Sequence, residues 1–234
     1  MTERYAIHAD FHEITKRYGL TGEEEFMIPN YNASPSQSLP IITHTNSKKI
    51  SFVNWALMQE MANDKSVSHK LLTIPIDSVL NKNALKNALV KSRCIIPANG
   101  YFAWKQYGKK HKVPHYFRHP SLNIMSMAGI WEEYEDLNGS IKQTFKILVK
   151  PNATDNTEFD NLMPVIIRKE DETKFLNDYT QLDELISIVL RDDASKALIN
   201  HSVSSLITNP KLNRKELIEP HAQVDQLGNY TLFE

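Results

Sequence analysis

The chain of 234 residues has one cysteine, seven glycines and no dominant charge. A single Cys cannot close an internal disulfide, which fits a reducing compartment; a cytoplasmic protein is expected. No stretch approaches the roughly 20 apolar residues of a bilayer-crossing helix, so no membrane partner is expected. Met1-Thr2-Glu3-Arg4-Tyr5 lacks the basic and apolar segments of a secretory leader. Lys and Arg number 27 against 28 Asp and Glu, and the net charge of −1 gives no global attraction to nucleic acid. A local basic groove would have to supply any such binding. Few Gly, 11 Pro and no low-complexity tract argue against a disordered chain, and there is no internal repeat.

What is present is a 41% hydrophobic chain with ample material for a core. Arg4 to Ala9 alternates as a strand. Asp10 with Glu13 forms a capping-box pattern for a short helix that ends at Gly19. Asn30 to Gln37 reads as an irregular polar segment. Leu39 to Thr45 and Ile50 to Trp55 read as strands. Met58 to His69 reads as loop or short helix, Leu71 to Ile76 as extended, and Asn83 to Lys91 as a helix. Tyr116-Phe117, Ile124 to Trp131, Thr144 to Val149 and Met163 to Ile167 are further strands, with a polar loop from Pro151 to Asn161. Helices are expected at about Asp171 to Asn177, Leu182 to Arg191 and Ala194 to Ile199. Many strands without a βαβ rhythm give an α+β fold. We expect a single domain over residues 1–234, built on a mostly antiparallel, curved or barrel-like sheet with peripheral helices.

The middle of the chain is the most informative. Cys94-Ile95-Ile96-Pro97 and Tyr101-Phe102-Ala103-Trp104 flank Asn99-Gly100, which predicts two strands folded back through a tight turn. Alternation puts Tyr101 and Ala103 on one face, Phe102 and Trp104 on the other. Cys94 sits on an apolar run and reads as structural. His111, His115 and His119 recur every four residues. Pro114 and Pro120 exclude the helix that would align them as metal ligands, so a solvated basic hairpin is expected and no metal or cofactor. Lys105, Lys109, Lys110, Lys112 and Arg118 among Tyr101, Phe102, Trp104 and Tyr107 mix charge with aromatics as single-strand binders do. The alternative is core aromatics beside a solvated turn. Trp55, Trp104 and Trp131 read first as core.

Several segments together resemble the SRAP family, the SOS-response-associated peptidases or abasic-site processing proteins. Met1 to Tyr5 sits where that family has Met-Cys-Gly-Arg-Tyr/Phe. Tyr31-Asn32-Ala33-Ser34-Pro35-Ser36-Gln37 resembles Tyr-Asn-x-x-Pro-Thr-Gln, and Trp55-Ala56-Leu57 resembles Trp-Gly-Leu. Arg93 to Trp104 resembles Arg-Cys-x-x-Pro-Ala-Asp-Gly-Phe-Tyr-Glu-Trp. Ala128-Gly129-Ile130-Trp131-Glu132 and Met163-Pro164-Val165-Ile166 follow in order. The resemblance covers residues 1–220 and leaves 221–234 as a tail.

The resemblance implies action on abasic sites in single-stranded DNA. In the family the Cys after the initiator Met closes a thiazolidine on the ring-opened sugar aldehyde, with Asn, Glu and His assisting. Here those positions carry Thr2, Thr73, Ala103 and Asp160, and two DNA-contacting Arg positions carry Pro75 and Leu162. The resemblance therefore implies a scaffold whose crosslinking residues are replaced. Thr2 has an amine and a hydroxyl and could close an oxazolidine, but hydroxyl is the poorer nucleophile; otherwise it is an exposed or pocket-lining terminus. Asp77 and Asp160 are a candidate acid/base pair, or else surface carboxylates. Arg4, Asn32, Trp55 and Lys105 are the candidate DNA contacts. The other class left open is a non-catalytic protein that reuses the cleft for DNA or another ligand.

Overall fold

Five strands close on themselves. The computed structural model describes residues 3–22, 27–56, 72–107, 111–135, 139–151, 159, 162–191 and 193–222. In chain order the strands are β1 (Tyr5–Ile7), β2 (Asn30–Ala33), β3 (Ser38–Thr43), β4 (Ser51–Trp55), β5 (Thr73–Pro75), β6 (Arg93–Ala98), β7 (Gly100–Tyr107), β8 (His111–Arg118), β9 (Met125–Glu135), β10 (Ile141–Pro151), β11 (Leu162–Pro164), β12 (Ile166–Ile167) and β13 (Ile199–Ser202). Strands β10, β4, β3, β6 and β9 pair in that order, and β9 pairs back to β10, which makes a barrel. A second sheet runs β13-β8-β7-β1-β2. Among the described residues only the β10 pairings with β4 and β5 are parallel. The α+β fold with a mostly antiparallel, barrel-like sheet is as the sequence implies.

Helices cover the barrel from outside: α1 (Phe11–Tyr18), α2 (Ile76–Asn81), α3 (Asn83–Lys91), α4 (Glu172–Leu176), α5 (Leu182–Leu190) and α6 (Asp193–Lys196). Asp10 caps α1 in a capping box with Glu13, and Gly19 closes it in the left-handed region. Along β6 the side chains alternate. Cys94, Ile96 and Ala98 enter the main core, while Ile95 packs under Val79, Leu89, Phe175 and Leu185 of the helices. Arg93 is fully buried, and its guanidinium donates to the carbonyls of Val90, Phe175 and Asn177, tying α3 and α4 to the barrel.

Asn99-Gly100 is not a hairpin turn. β6 belongs to the barrel and β7 to the second sheet, so one residue carries the chain from one to the other. Neither Asn99 nor Gly100 has positive φ. The Asn99 carboxamide explains why. Its oxygen accepts from the amides of His8 (2.7 Å) and Ala9 (3.0 Å), and its nitrogen donates to the Asn123 carbonyl (2.8 Å). Four more expectations are corrected. Asn30–Ala33 is a strand, followed by a turn in which Ser36 takes φ 68 after Pro35. The extended segment ends at Pro75, which sits at the N-cap of α2. Met163 to Ile167 is broken into β11 and β12, because Val165 donates to Leu148 and accepts from Ala128. The helix expected through Ile199 stops at Lys196, and β13 follows to cover the β8 edge. Met58 to His69 lies outside the described residues.

Candidate functional site

The register of β1 on β7 places the first described residues. Tyr5 pairs with Tyr101 and Ala6 with Gly100, and the Arg4 carbonyl accepts from Phe102. Antiparallel pairing therefore directs Arg4 and Glu3 along β7 toward Ala103. As alternation requires, Tyr101 and Ala103 face the main core, and Phe102 faces a small cluster with Tyr116, Val203, Ile207 and Leu217. Tyr101 stacks on Phe117 at 5.1 Å.

Across from Ala103 stands His115, its register partner on β8. Paired residues in a sheet share a face, so the imidazole lies on the Ala103 side. It is buried rather than on a solvated hairpin. Its Nδ1 meets Asn200 Oδ1 at 2.9 Å, across β13. Oδ1 only accepts, so Nδ1 carries the proton and Nε2 keeps a lone pair. Nε2 is buried and makes no hydrogen bond among the described residues. Burial holds the ring below the usual histidine pKa against the opposing Asn200 bond, and the charge of Lys105 adds to the lowering.

Phe159 covers this face. Its ring meets His115 edge-on at 5.0 Å and Phe117 at 5.0 Å, and the ammonium of Lys105 stands 5.9 Å over it. Lys105 also lies 5.1 Å over Tyr107 and bridges to Phe159 through the backbone. Thus Ala103, Lys105, His115, Phe117 and Phe159 meet where the resemblance places a Glu.

The other candidates scatter. Arg4 is half-buried, burial lowers its pKa, and its Nη1 is enclosed without a hydrogen-bond partner among the described residues. Asn32 is buried, and its amide donates to the carbonyls of Asn209 and Leu212. Trp55 is fully buried between Tyr5 and Phe145 and donates to the Leu72 carbonyl. Both side chains are thus engaged in holding the fold. Thr73 is buried in β5 opposite Ile147, and Asp77 is exposed in the first turn of α2. Thr2 and Asp160 lie outside the described residues. Cys94 is fully buried, and burial pushes its thiol pKa far up, so it is no nucleophile. Among the described residues no cluster of three or more His, Cys, Asp or Glu could hold a metal. A separate cleft of about 520 Å³, lined by Arg17, His44, Lys48, Lys169 and Glu172, shares no residue with the Ala103 face.

The family model for SOS response associated peptidase (SRAP) matches residues 1–210. The chain belongs to the SRAP family. Two Bacillus subtilis relatives are named abasic site processing proteins. YoqW is 30% identical over 226 residues and YobE 30% over 227, each alignment covering 94% of this chain and 100% of the relative. A crystal structure of a Bacteroides thetaiotaomicron protein superposes with a TM-score of 0.76 at 23% identity, covering 93% of this chain and 99% of that one. That likeness shows the fold. Abasic-site processing is thus the general function named for relatives of this SRAP chain.

Sequence reasoning missed the His115–Asn200 pair and Phe159. The alternation of β8 was a usable signal for His115, since it follows from pairing with β7. Nothing local pointed to Asn200, because it follows the helix expected over Ala194 to Ile199 and no residue pattern marks β13 as a strand, or to Phe159, which sits in a polar stretch.

Proposed function

We propose that this SRAP protein engages abasic sites in single-stranded DNA without forming the thiazolidine crosslink. The observation that carries the reading is the Ala103 face. Where the resemblance calls for a Glu beside an N-terminal Cys, the chain has a methyl group packed among Phe117, His115 and Phe159, and Thr2 offers no thiol. A hydroxyl without that carboxylate is a weak nucleophile near neutral pH. Lys105 is a cation on this face and would meet the phosphate backbone, while Arg4, in register with Phe102, lies on the other face of the sheet. Asn32 and Trp55 would act indirectly, by holding the strands that present them.

The test mixes the protein with a single-stranded oligonucleotide carrying one abasic site, with intact DNA as control. A shift on a native gel that weakens with salt and disappears on a denaturing gel is the expected result. A shift that survives denaturation without any reductant overturns it. The burial of the Ala103 face under Phe159 favours a second reading, a non-catalytic binder of another ligand; absence of any shift would select it.

A further inference from the structure

Three side chains share one face of β7 and β8. Lys105 and Ala103 are two residues apart on β7, so they share a face, and His115 is cross-strand from Ala103. Lys105 and His115 touch the same Phe159 ring, at 5.9 and 5.0 Å. The imidazole is fixed by Asn200 in the tautomer that leaves Nε2 as an acceptor, and that atom is buried and unbonded among the described residues. A buried polar atom without a partner costs free energy and calls for an explanation. A bound amine or hydroxyl would supply the missing donor.

We propose that Lys105 supplies the amine that captures the ring-opened abasic sugar as a reversible imine, with His115 Nε2 as the proton acceptor. The proposal rests on the abasic-site reading above. His115 takes one proton from the Lys105 ammonium. The free amine adds to the aldehyde carbon and gives a carbinolamine. The imidazolium returns its proton to the new hydroxyl, which leaves as water. One C=O bond is replaced by one C=N bond, the product is a protonated imine, and no oxidant or reductant is consumed. Phe159 occupies the approach to both groups, so the sugar takes the place of its ring. Asn200 is a positioning residue that sets the His115 tautomer.

The experiment adds sodium borohydride to protein mixed with abasic single-stranded DNA. Hydride reduces an imine to a stable secondary amine. The expected result is a denaturation-resistant adduct only when borohydride is present, with the DNA remnant mapped by mass spectrometry to Lys105. Lys105→Arg keeps the charge but loses the primary amine, and the adduct should vanish. His115→Gln should slow trapping by about a hundredfold. Thermal melts of both variants establish that they fold. An adduct mapped to the N-terminal residue or to another lysine overturns the proposal. So does native-gel binding of abasic DNA with no trapped adduct, which leaves the DNA-binding reading intact. No binding on the native gel overturns both.

Discussion

A methyl group on the α-carbon of Gly100 would stand 2.3 Å from the ring of Tyr116 and 2.5 Å from the carbonyl oxygen of Phe117. Gly100 is therefore required by close approach between β7 and β8, not by a turn. Gly100→Ala should destabilise the protein by roughly 1–3 kcal/mol or more, because the strands must separate to admit it. Urea unfolding measures this. An unchanged midpoint would mean that the strands yield more easily than their packing implies.

Asn99 makes a sharper test, because its two functional atoms do different jobs. Asn99→Ala leaves the amides of His8 and Ala9 without their acceptor, a loss of roughly 2–4 kcal/mol. Asn99→Asp keeps the oxygen that accepts from both amides but sets a second carboxylate oxygen against the Asn123 carbonyl, so it should cost less than Asn99→Ala, about 1–2 kcal/mol. Equal losses in the two variants would contradict this division of labour.

Ala56 adopts φ 59, in the left-handed region, while its amide is held by the Phe145 carbonyl. A side chain there is strained by about 1–2 kcal/mol. Glycine relieves that strain but adds freedom to the unfolded chain, so Ala56→Gly should gain about 0.5–1 kcal/mol net. A melting temperature that rises by a few degrees would agree; a fall would show that the methyl group packs usefully.

Burial comes first among the causes that hold His8, His44 and His115 below the ordinary value of 6.5. In the unfolded chain each binds a proton near 6.5, and in the folded chain only at lower pH. Their stability contribution is full above about 6.5 and declines as pH falls through that value toward the depressed folded ones. The groups acting on His115 are Lys105 and His201, which lower its pKa, and Asn200, which raises it. Melts between pH 7.5 and 5 should show falling stability, with a smaller fall in His115→Gln. An identical slope in that variant would remove His115 from the account.

How much of this was readable from the residues differs by element. α1 announced itself, because Asp10, Glu13 and Gly19 act within one helix and their hydrogen bonds are local. The alternation of β7 was likewise legible, since side-chain direction follows from period alone. The partner of β6 was not. Asn99-Gly100 has the composition of a tight turn, but the Asn99 side chain reaches His8 and Asn123, which are distant in sequence. The replaced residues of the site, Thr2 and Ala103, were visible by position. What fills the space was not, because Phe159 and Asn200 arrive from segments far along the chain. Asn32 and Trp55 carry family motifs whose side chains the fold consumes internally, a distinction that motif matching does not make.

The register of β1 on β7 has a practical consequence for handling the protein. Glu3 is two residues from Tyr5 and therefore within roughly 7 Å of it, at about 3.3–3.6 Å per residue. Tyr5 itself is fixed opposite Tyr101, two positions from Ala103. An affinity tag fused on the N-terminal side of Glu3 would therefore enter beside the Ala103 face, adding its own amines and charges there. Assays of DNA capture are better run with the purification handle at the other end of the chain.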